Sequence, residues 1–130
     1  MIVLDTHAWI WWTSAPERLS PVASAALGSA TTIGVSAISA WEVAMLEERG
    51  RIELDRPVDR WVHDALRLDS RIRRLDLTVD IALRAAQLGR RGMHGDPADR
   101  FIYATAQDRR AMLVTRDDAL RRFDPAGTTW

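Results

Sequence analysis

The chain opens on a short apolar run, Ile2-Val3-Leu4, that stops at Asp5. This is the pattern of a buried strand whose last residue emerges at a sheet edge. Thr6 can cap a helix there, with Trp9, Ile10 and Trp12 giving it a broad apolar side. Ser20-Pro21 reads as an N-cap followed by proline at the first helical position, and Gly28 as that helix's stop. Thr31 to Ser36 is rich in β-branched residues and predicts a second strand; Ser39 to Arg49 predicts a helix closed by Gly50. Trp61 to Leu68 reads as helical, Ile72 to Leu77 as extended, and Thr78 to Leu88 as helical, until Gly89-Arg90-Arg91-Gly92 breaks the pattern. Asp96-Pro97 then opens a helix to about Asp108, Ala111 to Thr115 is a short apolar strand, and Ala119 to Phe123 is a closing helix. The residues after it carry no pattern. Strands alternating with helices imply an α/β fold, with a mostly parallel central sheet flanked by helices on both faces. At 130 residues, a single domain spanning 1–130 is expected.

Composition removes whole classes of chemistry. There is no cysteine, so disulfides, thiolate metal sites and cysteine nucleophiles are excluded. All 18 basic residues are arginine, and without lysine neither a P-loop nor Schiff-base chemistry can operate. Arginine-rich surfaces suit phosphate, although high genomic GC content gives the same bias, and a formal net charge of zero leaves nucleic-acid binding to local patches. No apolar run approaches the ~20 residues of a membrane span, and the first residues lack the basic start of a secretory signal. The expectation is a cytoplasmic protein with no membrane contact.

Four acids fall at related places in this pattern. Asp5 follows the first strand and Asp117 lies two residues beyond Thr115, so both sit at carboxyl ends of strands. Glu42 and Asp99 each fall in the first turn of a predicted helix, near the same edge, where open parallel sheets bind their ligands. Simple capping competes with function here. Ser39-x-x-Glu42 has capping-box spacing, Asp96-x-x-Asp99 is similar, and Asp96 is assigned to capping. Asp5 is less easily dismissed, because a carboxylate ending a buried strand suffers desolvation unless something positive faces it. Clustered carboxylates without lysine call for a hard divalent cation bound through oxygen, Mg²⁺ or Mn²⁺. Such a site supports phosphoryl-transfer chemistry, and two ions would lie ~4 Å apart.

At these residues the chain resembles the PIN-domain family and, within it, the VapC-type toxin ribonucleases of toxin-antitoxin pairs. The matching stretches are Met1-Ile-Val-Leu-Asp5-Thr-His7, Val35-Ser-Ala-Ile-Ser-Ala-Trp-Glu42-Val-Ala44, His94-Gly-Asp-Pro-Ala-Asp99-Arg-Phe-Ile-Tyr-Ala-Thr-Ala106 and Leu113-Val-Thr-Arg-Asp117. They follow the family's order across nearly the whole chain. The resemblance implies a Mg²⁺- or Mn²⁺-dependent endoribonuclease, a homodimer, and neutralisation by a cognate VapB-type antitoxin. Asp5, Glu42 and Asp99 match the family's core acids and Asp117 the fourth, more variable one, with Thr115 as a hydroxyl support. Metal-activated water would then cleave single-stranded or looped RNA.

Other residues have competing roles. His7 and His94 adjoin the acids but read as loop or core histidines; Arg100 and Arg116 could contact RNA or pair with carboxylates. Arg90-Arg91 is the preferred RNA-contact loop, against a plain solvated turn. Trp9, Trp11, Trp12 and Trp41 could stack bases, yet core or dimer interface is the commoner use of such residues. Two rival functions share some of these features: a haloacid-dehalogenase-like phosphatase, which also wants a second acid near the first and a lysine, and a non-catalytic PIN-like interaction module.

Overall fold

A computed structural model describes residues 1–93 and 95–130. Five strands form one all-parallel sheet: β1 (Ile2–Leu4), β2 (Ile33–Ser36), β3 (Ile72–Leu75), β4 (Met112–Val114) and β5 (Thr128–Thr129). Their order is β3-β2-β1-β4-β5, so the chain builds outward from β1 on one side and then returns to its other side. Seven α-helices are described: α1 (Thr6–Ser14), α2 (Pro21–Ser29), α3 (Ala37–Glu48), α4 (Val58–Ala65), α5 (Val79–Leu88), α6 (Pro97–Asp108) and α7 (Asp118–Phe123). None is long and apolar enough to cross a membrane.

Side-chain alternation along the strands divides the core in two. Leu4, Ile33, Val35, Ile72 and Val114 face one layer, where they pack with Trp9, Val43 and Trp61 from α1, α3 and α4. Val3, Leu75 and Leu113 face the other, against Ile81, Leu88, Ile102 and Leu120 from α5, α6 and α7. Gly34 lies between them on β2, in register with Val3 and Arg73. The helices therefore cover both faces, as the pattern of apolar runs implied.

Local boundaries depart from the sequence pattern for identifiable reasons. Asp5, not Thr6, caps α1. Gly28 lies inside α2, which continues to Ser29, whereas Gly50, at φ +68°, does follow α3. Helix α4 begins at Val58, just after Pro57, and ends at Ala65 rather than Leu68. The extended run at Ile72 stops as a strand at Leu75, because its pairing with β2 ends there. Strands β2 and β4 are likewise shorter than their apolar runs. The patternless C-terminus supplies β5, whose Thr128 and Thr129 pair with Leu113 and Val114. Two polar residues gain strand geometry from backbone pairing that leaves no hydrophobic signature.

Candidate active site

Three strands aim their carboxyl ends at one edge of the sheet, at the point where strand order reverses about β1. Asp5 leaves β1, α3 leaves β2, and the Thr115-to-Asp117 segment leaves β4. Helix α6 leads back toward β4, so its first turn, with Asp96 and Asp99, lies at that same edge. An open cavity of about 740 Å³ results, and Asp5, Glu42, Asp96, Asp99 and Asp117 all line it, together with Thr6, His7, Trp11, Trp41, Arg49, Arg51 and Arg116. All four sequence-derived site acids thus reach one space, and Asp96 joins them.

Three of these acids are also helix caps. Asp5 Oδ1 accepts the backbone N–H of Ala8 at 2.7 Å, Asp96 Oδ1 that of Ala98 at 3.0 Å, and Asp117 Oδ1 that of Leu120 at 2.8 Å. Each cap brings the positive end of a helix toward the cavity. Glu42 is different. The N-cap of α3 is Ser36, whose Oγ accepts from Ile38 N–H at 3.2 Å, so the expected Ser39-to-Glu42 capping box does not form. Glu42 consequently lies in the second turn rather than the first, where capping cannot explain its position. Asp99 does occupy the first turn of α6, one turn inward of the Asp96 cap.

The electrostatics follow from this convergence. Asp99 is pushed up to about 7, first by burial and then by repulsion from Glu42, Asp117, Asp96 and Asp5. Asp5 is raised to about 6 by burial, with Glu42 adding a smaller upward push; the Thr115 hydroxyl, the Ala8 N–H and the nearby His7 oppose the rise. Thr115 thus has the supporting role expected of it. Its Oγ1 also accepts the Asp117 N–H at 3.0 Å, tying two of the acids to one fully buried side chain.

The surrounding candidates separate cleanly. Arg116 lines the cavity, its guanidinium 5.7 Å from the Trp11 ring centre. Arg100 is instead directed along the α5–α6 surface, beside Ala82, Ala85 and Phe101 and close to Gly89, because α6 turns it away from Asp99. The Arg90-Arg91 segment forms a tight turn closed by Gly92 at φ +96°, and Gly92 and Met93 border a smaller cavity shared with Asp99 and Asp117. His94 falls outside the described residues. Trp9 is fully buried, its ring centre 5.4 Å from that of Trp61 in an edge-type contact at 62°, so it belongs to the core. Trp11 forms a cavity wall between His7 and Trp130, each 5.6 Å away, with Arg18 stacked at 4.6 Å. Trp12 is partly buried against the first core layer.

Sequence reasoning missed two features. Thr6 is 2% exposed and lines the cavity, yet its hydroxyl has no hydrogen-bond partner among the described residues. The α3 residues Trp41, Met45 and Leu46 and the C-cap residue Arg49 share the cavity wall with Glu42, a grouping that helical periodicity applied to Glu42 would have exposed.

A single α/β domain with acids converging at the switch point of a parallel sheet defines the class of protein. Residues 2–125 match the PIN domain family model. The chain is 42% identical over 131 residues to Ribonuclease VapC22 of Mycobacterium tuberculosis, covering 99% of this chain and 98% of that protein. The fold is shared with a toxin-antitoxin complex from Klebsiella pneumoniae (TM-score 0.67, 22% identity, 100% of this chain and 97% of that one). It is shared equally with VapC20 of Mycobacterium tuberculosis, described as a sarcin-ricin loop cleaving toxin (TM-score 0.68, 19% identity, 99% and 97%). The chain belongs to the PIN-domain family, among its VapC-type ribonucleases. The haloacid-dehalogenase-like alternative falls with that membership.

Proposed function

We propose that the protein is a metal-dependent endoribonuclease, the toxin of a toxin-antitoxin pair, with Asp5, Glu42, Asp99 and Asp117 as its metal-holding residues. The observation that carries this site is the convergence on Asp99: it is buried in a cavity where four other carboxylates act on it, and burial first, then their repulsion, raises its affinity for a proton. The share of that rise contributed by the neighbouring carboxylates is a negative field that a bound cation would relieve.

The donor set fits Mg²⁺ or Mn²⁺. It consists of carboxylate oxygens, with the unpartnered Thr6 hydroxyl nearby, and contains no sulfur. Among the described residues, no three acidic or histidine side chains are drawn together tightly enough to form a ready metal-binding group. A strongly hydrated ion such as Mg²⁺ can be held by so open a set because part of its coordination is water. When bound, the ion supplies an activated water and neutralises charge on the leaving oxygen. Asp5 is held in place by the Ala8 N–H and the Thr115 hydroxyl. Asp96 fixes the start of α6 and so the position of Asp99. Arg116 offers a bidentate contact to a phosphate entering beside the acids.

The likeness to a toxin-antitoxin complex supports a VapB-type antitoxin as partner. A homodimer is part of the same reading, supported by Val79 and Leu83, which lie one turn apart on α5 and remain 76% and 58% exposed. An RNA substrate and an antitoxin partner support a cytoplasmic site of action. Labelled RNA incubated with Mg²⁺ or Mn²⁺ tests the assignment. The wild-type protein should cleave and chelation should stop it, while Asp99→Asn should lower the rate by roughly a hundredfold or more. Equal cleavage by both proteins would refute the site.

A further inference from the structure

The acids occupy only part of the cavity, and one wall remains without a task. On α3 the residues Trp41, Glu42, Met45 and Leu46 face it, followed by Arg49 at the helix's C-cap and Arg51 just beyond. Their spacing of one, four, five and eight residues describes a single helix side. The chemistry changes along that side, from an indole and an acid near its start, through two apolar side chains, to two arginines. Trp41 is 53% exposed, in contrast to the fully buried Trp9. Arg49, Arg51 and Arg116 enter none of the ion pairs formed among the described residues.

We propose that this wall seats an unpaired nucleotide next to the one being cleaved, Trp41 stacking on its base while Arg49 and Arg51 hold its phosphate. This rests on the ribonuclease reading above. Seven residues separate Glu42 from Arg49, roughly 10 Å along the helix axis. The arginines therefore sit beside a neighbouring phosphate rather than the one at the acids. An exposed indole offers a flat face that any base can use, and stacking of this kind requires a strand free of pairing. At the end of the wall away from the acids the charge is carried by Arg49 and Arg51, which attract phosphate and disfavour a basic peptide there.

The test measures binding without turnover, in an Asp99→Asn background, with a short unstructured RNA oligonucleotide and the same sequence annealed as a duplex. Adding Trp41→Ala should weaken single-strand binding by about tenfold, Trp41→Phe should retain most of it, and duplex binding should change little. Adding Arg49→Ala with Arg51→Ala should reduce the slope of log affinity against log salt by roughly one to two. Circular dichroism confirms that each variant is folded. The inference is overturned by unchanged binding in Trp41→Ala, by an equal loss in Trp41→Phe, by an equal loss for the duplex, or by no measurable RNA binding. It is equally overturned if Trp41→Ala spares RNA but abolishes binding of a purified antitoxin, since the wall would then be a protein-docking surface. Cleavage separates the two levels: metal-dependent cleavage with an unchanged KM in Trp41→Ala leaves the nuclease standing and removes the stacking role. Trp41-dependent binding in a protein that never cleaves RNA does the reverse.

Discussion

Asp5 accepts the Ala8 backbone N–H at 2.7 Å with the same carboxylate that lines the acidic cavity. Capping and metal binding are therefore not alternatives at this position. A carboxylate has about four lone-pair directions, and the cap engages one of them. The helix bond fixes the group's orientation and lowers its proton affinity, while burial raises it to a net value of about 6.

Substitutions at Asp5 should separate these two contributions. Asp5→Asn keeps a capping oxygen and removes the charge, so thermal stability without divalent ions should match or exceed wild type while cleavage is lost. Asp5→Ala removes both, and should lose about 1 kcal/mol relative to Asp5→Asn. Thermal denaturation of the three proteins in chelator provides the comparison. Equal stability of the two variants would show that the Ala8 bond contributes nothing.

Asp99 sets the pH response of the metal-free protein. Its folded-state value of about 7 lies above the ordinary 3.8, so between those limits the folded chain binds more protons than the unfolded one. Stability should therefore be highest toward the acid end of the window, decline as pH rises from about 4 to about 7, and level off above it. Asp5 adds a slope of the same sign, ending near 6. Asp99→Asn should flatten the dependence and stabilise the chelated protein at pH 8 by on the order of 1 kcal/mol, after allowance for solvent screening. Mg²⁺ should stabilise wild type more than the variant, and more at pH 8 than at pH 5. Melting temperatures across pH, with wild type and variant compared directly, measure this; identical slopes would mean that Asp99 feels no concentrated negative field.

Much of this site was legible because its acids interrupt strong periodic patterns. Asp5 ends an apolar strand, and Asp96-Pro97 announces a helix start three residues before Asp99. What stayed hidden depends on contacts between distant segments. Ser36 outcompetes Ser39 as the α3 cap because strand β2 runs directly into the helix, and that register sends Glu42 one turn deeper. Arg100 and Arg116 are equivalent by adjacency to an acid, yet helix geometry directs one along α6 and loop geometry directs the other into the cavity. Strand β5 has no apolar alternation, and is held by pairing with β4 and by Asp124, which accepts the Gly127 N–H at 2.9 Å and the Tyr103 hydroxyl at 2.7 Å.

Gly34 links the packing of the sheet to the spacing of the acids. It sits in the middle of β2, where an added Cβ would lie 2.5 Å from Leu75 Cδ1 and 3.2 Å from Val3 Cγ2. Both neighbours belong to the buried second core layer, so relief requires them to shift within close packing. Val3 lies two residues before Asp5, and Gly34 lies two residues before the Ser36 cap that orients Glu42. Gly34→Ala should lower stability by roughly 1–3 kcal/mol through overpacking. It should also reduce cleavage measured well below its melting temperature, since displacement of β1 against β2 misaligns Asp5 and Glu42. A companion variant, Gly34→Ala with Leu75→Ala, makes room for the new methyl and should restore much of the lost cleavage, though not the lost burial. Denaturant titration and initial rates on the two proteins decide the matter: if the double variant recovers no activity, strand spacing does not control the site.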